Sequence, residues 1–174
     1  MAPISCGSFV FVIQTVDAST KMCYYVRGDN MEKSIARMIT FLARRSQGYI
    51  GAALSKYNLS AAEQPFFMAL RCCQGITQEE LTALVGVDKA VTTRVVRSLE
   101  EKGFLTRVQD EQDRRQNRIY PTDQVERLGP DVSRELLQFN DLLTRGIDPQ
   151  SLEIIRAGLQ KMEDNMANIL RNHG

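Results

Sequence analysis

The stretch 77-TQEELTALVGVDKAVTTRVVRSLEEKG-103 decides the fold. Its first four residues, Thr77-Gln78-Glu79-Glu80, form a capping box, in which the Thr77 and Glu80 side chains satisfy each other's free backbone amides and start a helix. Gly86 ends that short helix, and Asp88 stands as the N-cap of a second one. Gly103 is placed to close the second helix in a left-handed conformation. Two helices joined by a glycine-containing corner are the helix-turn-helix plan.

At about 100° per residue, the second helix divides cleanly. Val91, Thr92, Val95, Val96 and Leu99 fall on the inward side, and Lys89, Ala90, Thr93, Arg94 and Arg97 on the outward side. Small residues between the cations let a backbone approach base edges, and an arginine can donate two hydrogen bonds to guanine O6 and N7. Glu100 and Glu101 further along would repel phosphate, which favours insertion by the N-terminal half. An ordinary solvated surface helix is the competing reading.

Behind the second helix come FLTRVQ and then 110-DEQDRRQNRIYPT-122, read as two short strands joined by a polar hairpin. Arg114, Arg115 and Arg118 occur within five residues that contain no acid. Guanidinium groups at a hairpin tip can enter a narrow minor groove or grip flanking phosphates. Asp113 beside them makes sense as an ion-pair partner that orders the loop before binding. An exposed turn with incidental ion pairs, each worth at most about 1 kcal/mol, would also account for the run.

Outward from this centre the chain is helical. From Met31 to Tyr57, Ile35, Met38, Ile39, Leu42, Ile50, Ala53, Leu54 and Tyr57 recur at three- and four-residue spacing. Ser60 to Glu63 is another capping box, and Pro65 predicts a late or bent start to a helix running to about Cys73, ended by Gly75. Downstream, Gly129-Pro130 is expected to interrupt the next helix and Gly146 to end it. Asp148-Pro149 opens a last helix, along which Leu152, Ile155, Leu159, Met162, Met166 and Ile169 repeat. The first thirty residues differ: FVFVIQTV and KMCYYVRG suit two strands with VDAST as a turn, an extension of unassigned role.

A hydrophobic content of 43% suffices for a core in a 174-residue chain, and a net charge of +1 means that any anion-binding surface is a local arrangement. No apolar run is longer than the five residues of Phe9 to Ile13, too short to span a bilayer, and the N-terminus lacks a basic region like that of a signal peptide, so a cytoplasmic protein is expected. Cys6, Cys23, Cys72 and Cys73 form no CxxC pair, and His173 is the lone histidine, so neither a metal site nor a cofactor is expected. HExxH, GxxxxGK and GxSxG are all missing, and no catalytic residue is assigned.

Val87-Asp88-Lys89, Thr93-Arg94, Leu99 to Leu105, the Asp110-x-x-Asp113-Arg114-Arg115 signature and Thr122 together resemble the MarR family of bacterial and archaeal transcription regulators. The similar organisation extends from about Glu32 to Leu170. The resemblance implies a mainly α fold with a small β-hairpin wing: a winged helix-turn-helix over 59–122, and dimerisation helices from 31–58 and 123–174. It implies a homodimer whose two recognition helices meet successive major grooves of a near-palindromic double-stranded operator, the wings reaching adjoining minor grooves. Arg115 would be the wing-tip arginine and Asp113 its partner. The sequence departs from the family at Val125, where a glycine is common, at Pro121 in place of leucine, and at Gly129-Pro130.

Many such proteins act as repressors released by a small aromatic or phenolic ligand, and by position Phe41, Tyr49, Phe66 and Phe67 are candidates to line its pocket. Core packing is the competing reading of these four aromatics. Another branch of the family senses peroxide through a cysteine near the start of the first long helix, where this chain has none. Cys72 and Cys73 beside Arg71 are the alternative for a redox response, set against buried, inert thiols. A winged helix used only for protein contacts is the remaining alternative.

Overall fold

The computed structural model describes residues 4–6, 9–15, 21–26, 34–110 and 116–173. The chain divides into two compact units, 1–49 and 50–174, with the boundary inside the first long helix. In the first unit, strands β1 (Ile4–Cys6), β2 (Phe9–Thr15) and β3 (Lys21–Val26) form an antiparallel sheet in that order. The β2–β3 register runs from Val10 opposite Val26 to Thr15 opposite Lys21. The two expected strands are therefore present, with β1 as a third. Helix α1 (Ile35–Leu54) follows.

In the second unit, α1 passes into a 3₁₀ turn, Ser55–Tyr57, and helix α2 (Gln64–Leu70) starts late, as Pro65 predicts. The Ser60 amide and hydroxyl both donate to Glu63 Oε2 at 2.8 Å, and the Glu63 amide returns to Ser60 Oγ at 3.3 Å. The box thus organises a turn ahead of the helix. Then come β4 (Ile76–Thr77), α3 (Gln78–Val85), α4 (Lys89–Glu101), β5 (Leu105–Gln109), β6 (Asn117–Pro121), α5 (Asp123–Leu143) and α6 (Pro149–His173). The sheet order is β4-β6-β5, antiparallel throughout.

The core of this unit joins Leu54, Leu59, Phe66, Phe67, Leu70, Leu81, Val96, Leu99, Phe104, Ile119, Val125 and Val132. Burying each such side chain contributes on the order of 1.5–3 kcal/mol. Phe67 meets Phe104 edge-on with ring centroids 5.4 Å apart, which locks α2 against the start of the hairpin.

Helix α5 corrects the expectation of a break at Gly129-Pro130: it runs through both residues. Val125 and Val132 flank the pair and are fully buried in the same core, so packing fixes both halves. The hydrogen bond that proline removes belongs to the carbonyl of Glu126, an exposed residue. A Cβ at Gly129 would meet Arg71 Nε and Cζ, so the guanidinium lies where a larger residue would make it shift. Arg71 thus lies against α5, with Nη1 donating to Ser133 Oγ at 2.5 Å. The departures at Pro121 and Val125 are absorbed as well: Pro121 pairs with Leu105 in the sheet, and Val125 is core.

Candidate nucleic-acid interface

Helix α3 starts where its capping box predicts. The Glu80 amide donates to Thr77 Oγ1 at 3.2 Å, and the Thr77 amide donates to Glu80 Oε2 at 2.8 Å. Those bonds from Thr77 hold the Glu80 carboxyl below its ordinary range. Gly86 closes α3 at φ +72°, and the Asp88 carboxylate accepts from the Val91 amide at 2.8 Å to open α4.

The outward and inward faces of α4 fall as the angular analysis expects. Thr92, Val95, Val96 and Leu99 are buried, whereas Lys89, Ala90, Thr93, Arg94 and Arg97 are exposed. Thr92 is tolerated inside because its hydroxyl donates to the Asp88 carbonyl (3.1 Å) and accepts from Thr82 Oγ1 (3.0 Å).

The charges on α4 are sorted along its length. Glu100 accepts a hydrogen bond from Arg107 on β5, which lowers the carboxyl's pKa and raises that of the guanidinium. Arg97 Nε bonds Glu101 at 2.9 Å one turn on, in a pair exposed on both sides. Both acids in the last turn are therefore matched by arginines. Among the described residues, Lys89 and Arg94 have no ion-pair partner, so the uncompensated positive charge lies in the N-terminal half.

Sequence reasoning missed two residues here. Gln78, the first residue of α3, donates through Nε2 to Thr93 Oγ1 at 2.9 Å, and Thr93 donates to the Lys89 carbonyl at 2.8 Å. This bond pins the middle of α4's exposed face to the preceding helix. Its only sequence signal is a polar residue just after the cap. Arg107 was likewise read as an ordinary strand residue. An open cleft of about 430 Å³ lies between α3, the start of α4 and the hairpin, lined by Gln78, Thr82, Lys89, Arg107 and Asn117 among others.

At the hairpin, the Asp110 amide donates to the Gln116 carbonyl at 3.0 Å and closes the mouth of the loop. Arg118 is engaged at this base: Nε meets Asp110 Oδ2 at 2.5 Å, and Nη1 donates to the Gly75 carbonyl at 2.8 Å. Asp113, Arg114 and Arg115 lie outside the described residues.

A family model described as the MarR family matches residues 65–116. A MarR transcriptional regulator of Methanosarcina mazei Go1, known from its crystal structure, is 31% identical. The match covers 78% of this chain and 97% of that one, with a TM-score of 0.72. The chain belongs to the MarR family. It is also similar to YybA, an uncharacterised HTH-type transcriptional regulator of Bacillus subtilis (strain 168), at 24% identity over 76% of this chain and 88% of that protein. The fold is shared with a putative MarR family regulator of Listeria monocytogenes whose crystal structure holds a 26mer DNA. That chain is 24% identical, with a TM-score of 0.69, and the match covers 78% of this chain and 90% of that one. The protein is thus a transcriptional regulator of the MarR family and not an enzyme.

Of the four aromatics named as pocket candidates in this MarR-family chain, two fall in each unit. Phe66 and Phe67 are fully buried core of the second unit. In the first unit, Phe41 is half-buried beneath the Arg45 guanidinium, which lies 4.4 Å from the ring centroid, and Tyr49 is 44% exposed. Cys72 departs from the buried, inert reading: it is exposed, and Cys73 is half-buried. No described helix is long and apolar enough to cross a membrane.

Proposed function

We propose that this MarR-family chain is a sequence-specific binder of double-stranded DNA, docked through the N-terminal half of α4. The observation that carries the reading is the charge sorting on α4: Lys89 and Arg94 exposed with no ion-pair partner among the described residues, Glu100 and Glu101 neutralised behind them. Lys89, Ala90, Thr93, Arg94 and Arg97 would enter the major groove. Asp113, Arg114 and Arg115 would form the tip that reaches the minor groove, with Arg118 at its base.

The functional unit in this reading is a homodimer on a near-palindromic operator. Support comes from α6, where Ile155, Leu159, Met162, Met166 and Ile169 alternate in steps of four and three and are all exposed in the single chain. That spacing makes one seam suited to a second helix. A repressor released by a small aromatic or phenolic ligand is the form of regulation implied by the family resemblance.

The test is binding of the full-length protein to the DNA upstream of its own gene at several salt concentrations. Log affinity should fall linearly with log salt, by about 0.9 per neutralised phosphate. Arg94→Ala should cost about 1–3 kcal/mol on the preferred sequence and flatten discrimination at one base pair. Binding that ignores both salt and sequence would refute the reading and leave a winged helix used for protein contacts.

A further inference from the structure

Cys72 and Cys73 are adjacent, free and at the surface. Cys72 is exposed and Cys73 half-buried, just past the last residue of α2, where the Cys72 amide still donates to the Ala69 carbonyl at 3.0 Å. The helix therefore holds the backbone of the first thiol. Neighbouring residues joined by a trans peptide have Cα atoms about 3.8 Å apart, so rotation about the side-chain bonds can bring the two thiols to one small centre.

The link that carries them is clamped at both ends. On one side Arg71 bonds Ser133 and closes over Gly129 of α5. On the other, the Gly75 amide donates to the Ile119 carbonyl at 3.0 Å, while the Gly75 carbonyl accepts from Arg118 at 2.8 Å. Arg118 also holds Asp110 at the mouth of the hairpin. A centre bonded to both thiols would fix this link in a geometry set by its own bond angles, with the wing base directly attached.

We propose that Cys72 and Cys73 form a dithiol site for a trivalent arsenical, and that occupying it weakens DNA binding. The second half of this rests on the function proposed above. Thiolate sulfur is a soft donor that selects soft acceptors. Pyramidal arsenic(III) has a narrow S–As–S angle that two neighbouring residues can supply. A linear two-coordinate mercury(II) ion needs its sulfurs farther apart. With phenylarsine oxide the reaction balances without redox change. Two S–H bonds and the As=O bond break, two As–S bonds form, and the thiol protons leave with the oxide oxygen as one water. The second As–S bond is intramolecular, so its effective concentration is in the millimolar range or above.

The experiment titrates the reduced full-length chain with phenylarsine oxide, following intact mass and the count of free thiols. Parallel samples carry Cys72→Ser, Cys73→Ser, or Cys6→Ser with Cys23→Ser. The expected result is one phenylarsenic group per chain at the loss of two thiols, reversed by 1,2-ethanedithiol. Either single variant at 72 or 73 should weaken binding about tenfold or more, and the Cys6/Cys23 variant should leave it unchanged. Tight one-to-one binding that survives Cys72→Ser or Cys73→Ser overturns the site. Operator affinity measured on the same samples should fall at least about tenfold on occupancy in the wild type and not in Cys72→Ser. Normal DNA binding by the occupied protein overturns the coupling. A chain that never binds DNA refutes the function proposed above, and the thiol count still decides the site.

Discussion

Glu63→Gln isolates the one buried charge that ties the start of α2 to the end of α4. Glu63 is only 4% exposed, and its carboxylate accepts from Lys102 Nζ at 2.8 and 2.7 Å, from Ser98 Oγ at 2.6 Å and from the Ser60 amide and hydroxyl at 2.8 Å. Burial by itself pushes the carboxyl up, but the bonds from Lys102, Ser98 and Ser60 outweigh it and hold the pKa at about 2, against an ordinary value of 4.5. At about 1.4 kcal/mol per unit, that depression corresponds to about 3 kcal/mol of stability at neutral pH. This is an upper figure, since the Lys102 side chain is a quarter exposed.

The sign follows from the direction of the shift. The folded-state pKa lies below the unfolded one, so the contribution is complete above about pH 5 and is lost as pH falls towards 2. Urea unfolding at fixed protomer concentration should place Glu63→Gln about 2–3 kcal/mol below wild type at pH 7. By pH 3.5 that gap should narrow to about half. A gap under about 0.5 kcal/mol at pH 7, the size of an ordinary surface substitution, would refute the assignment. So would a gap unchanged down to pH 3.

Arg118→Ala removes a partner from Asp110, which is 8% exposed, and from the Gly75 carbonyl, so it should cost about 2 kcal/mol in urea unfolding. Arg114→Ala, at the loop, should cost less than about 0.5 kcal/mol in the same assay while still weakening DNA binding. Gly86→Ala meets no atom within 4 Å yet sits at φ +72°, so thermal unfolding should report about 1 kcal/mol of pure backbone strain. Arg107→Ala should weaken operator binding by exposing the Glu100 carboxylate. Adding Glu100→Gln should restore most of the loss, with a coupling of at least about 0.5 kcal/mol in the double-mutant cycle.

What could be read from the chain alone was whatever neighbours in sequence determine. The Thr77–Glu80 box, the Asp88 cap and the two faces of α4 each depend on residues within one or two turns, and all three are found in place. Strand β4 is different. Ile76 and Thr77 have no strand signature of their own and are extended because Ile119 and Arg118 pair with them. The Gly129-Pro130 expectation failed for a similar reason. Local breakers were outvoted by Val125 and Val132, whose burial is set by elements far away in sequence. Arg118 read as one more cation in a basic run, because its carbonyl partner at Gly75 lies 43 residues upstream.

That same bond changes what the basic run means. An arginine already committed to Asp110 and Gly75 gains little from a phosphate unless it releases them, and what its bonds do in this chain is hold β6 against the link after α2. Gln78 does the corresponding work on α4 by fixing Thr93 from outside the helix. Among the described residues of α4, the cations suited to a polyanion are then the two without an ion-pair partner, Lys89 and Arg94. Their side chains lose rotamer freedom on binding but break no protein contact first, whereas Arg97 must leave Glu101, a pair so exposed that it costs less than about 1 kcal/mol. The expected order of affinity losses on alanine substitution is therefore Arg94 and Lys89 before Arg97. If Arg97→Ala proves the most damaging of the three, then contact geometry, and not the prior commitment of each cation, sets the binding energy on this face.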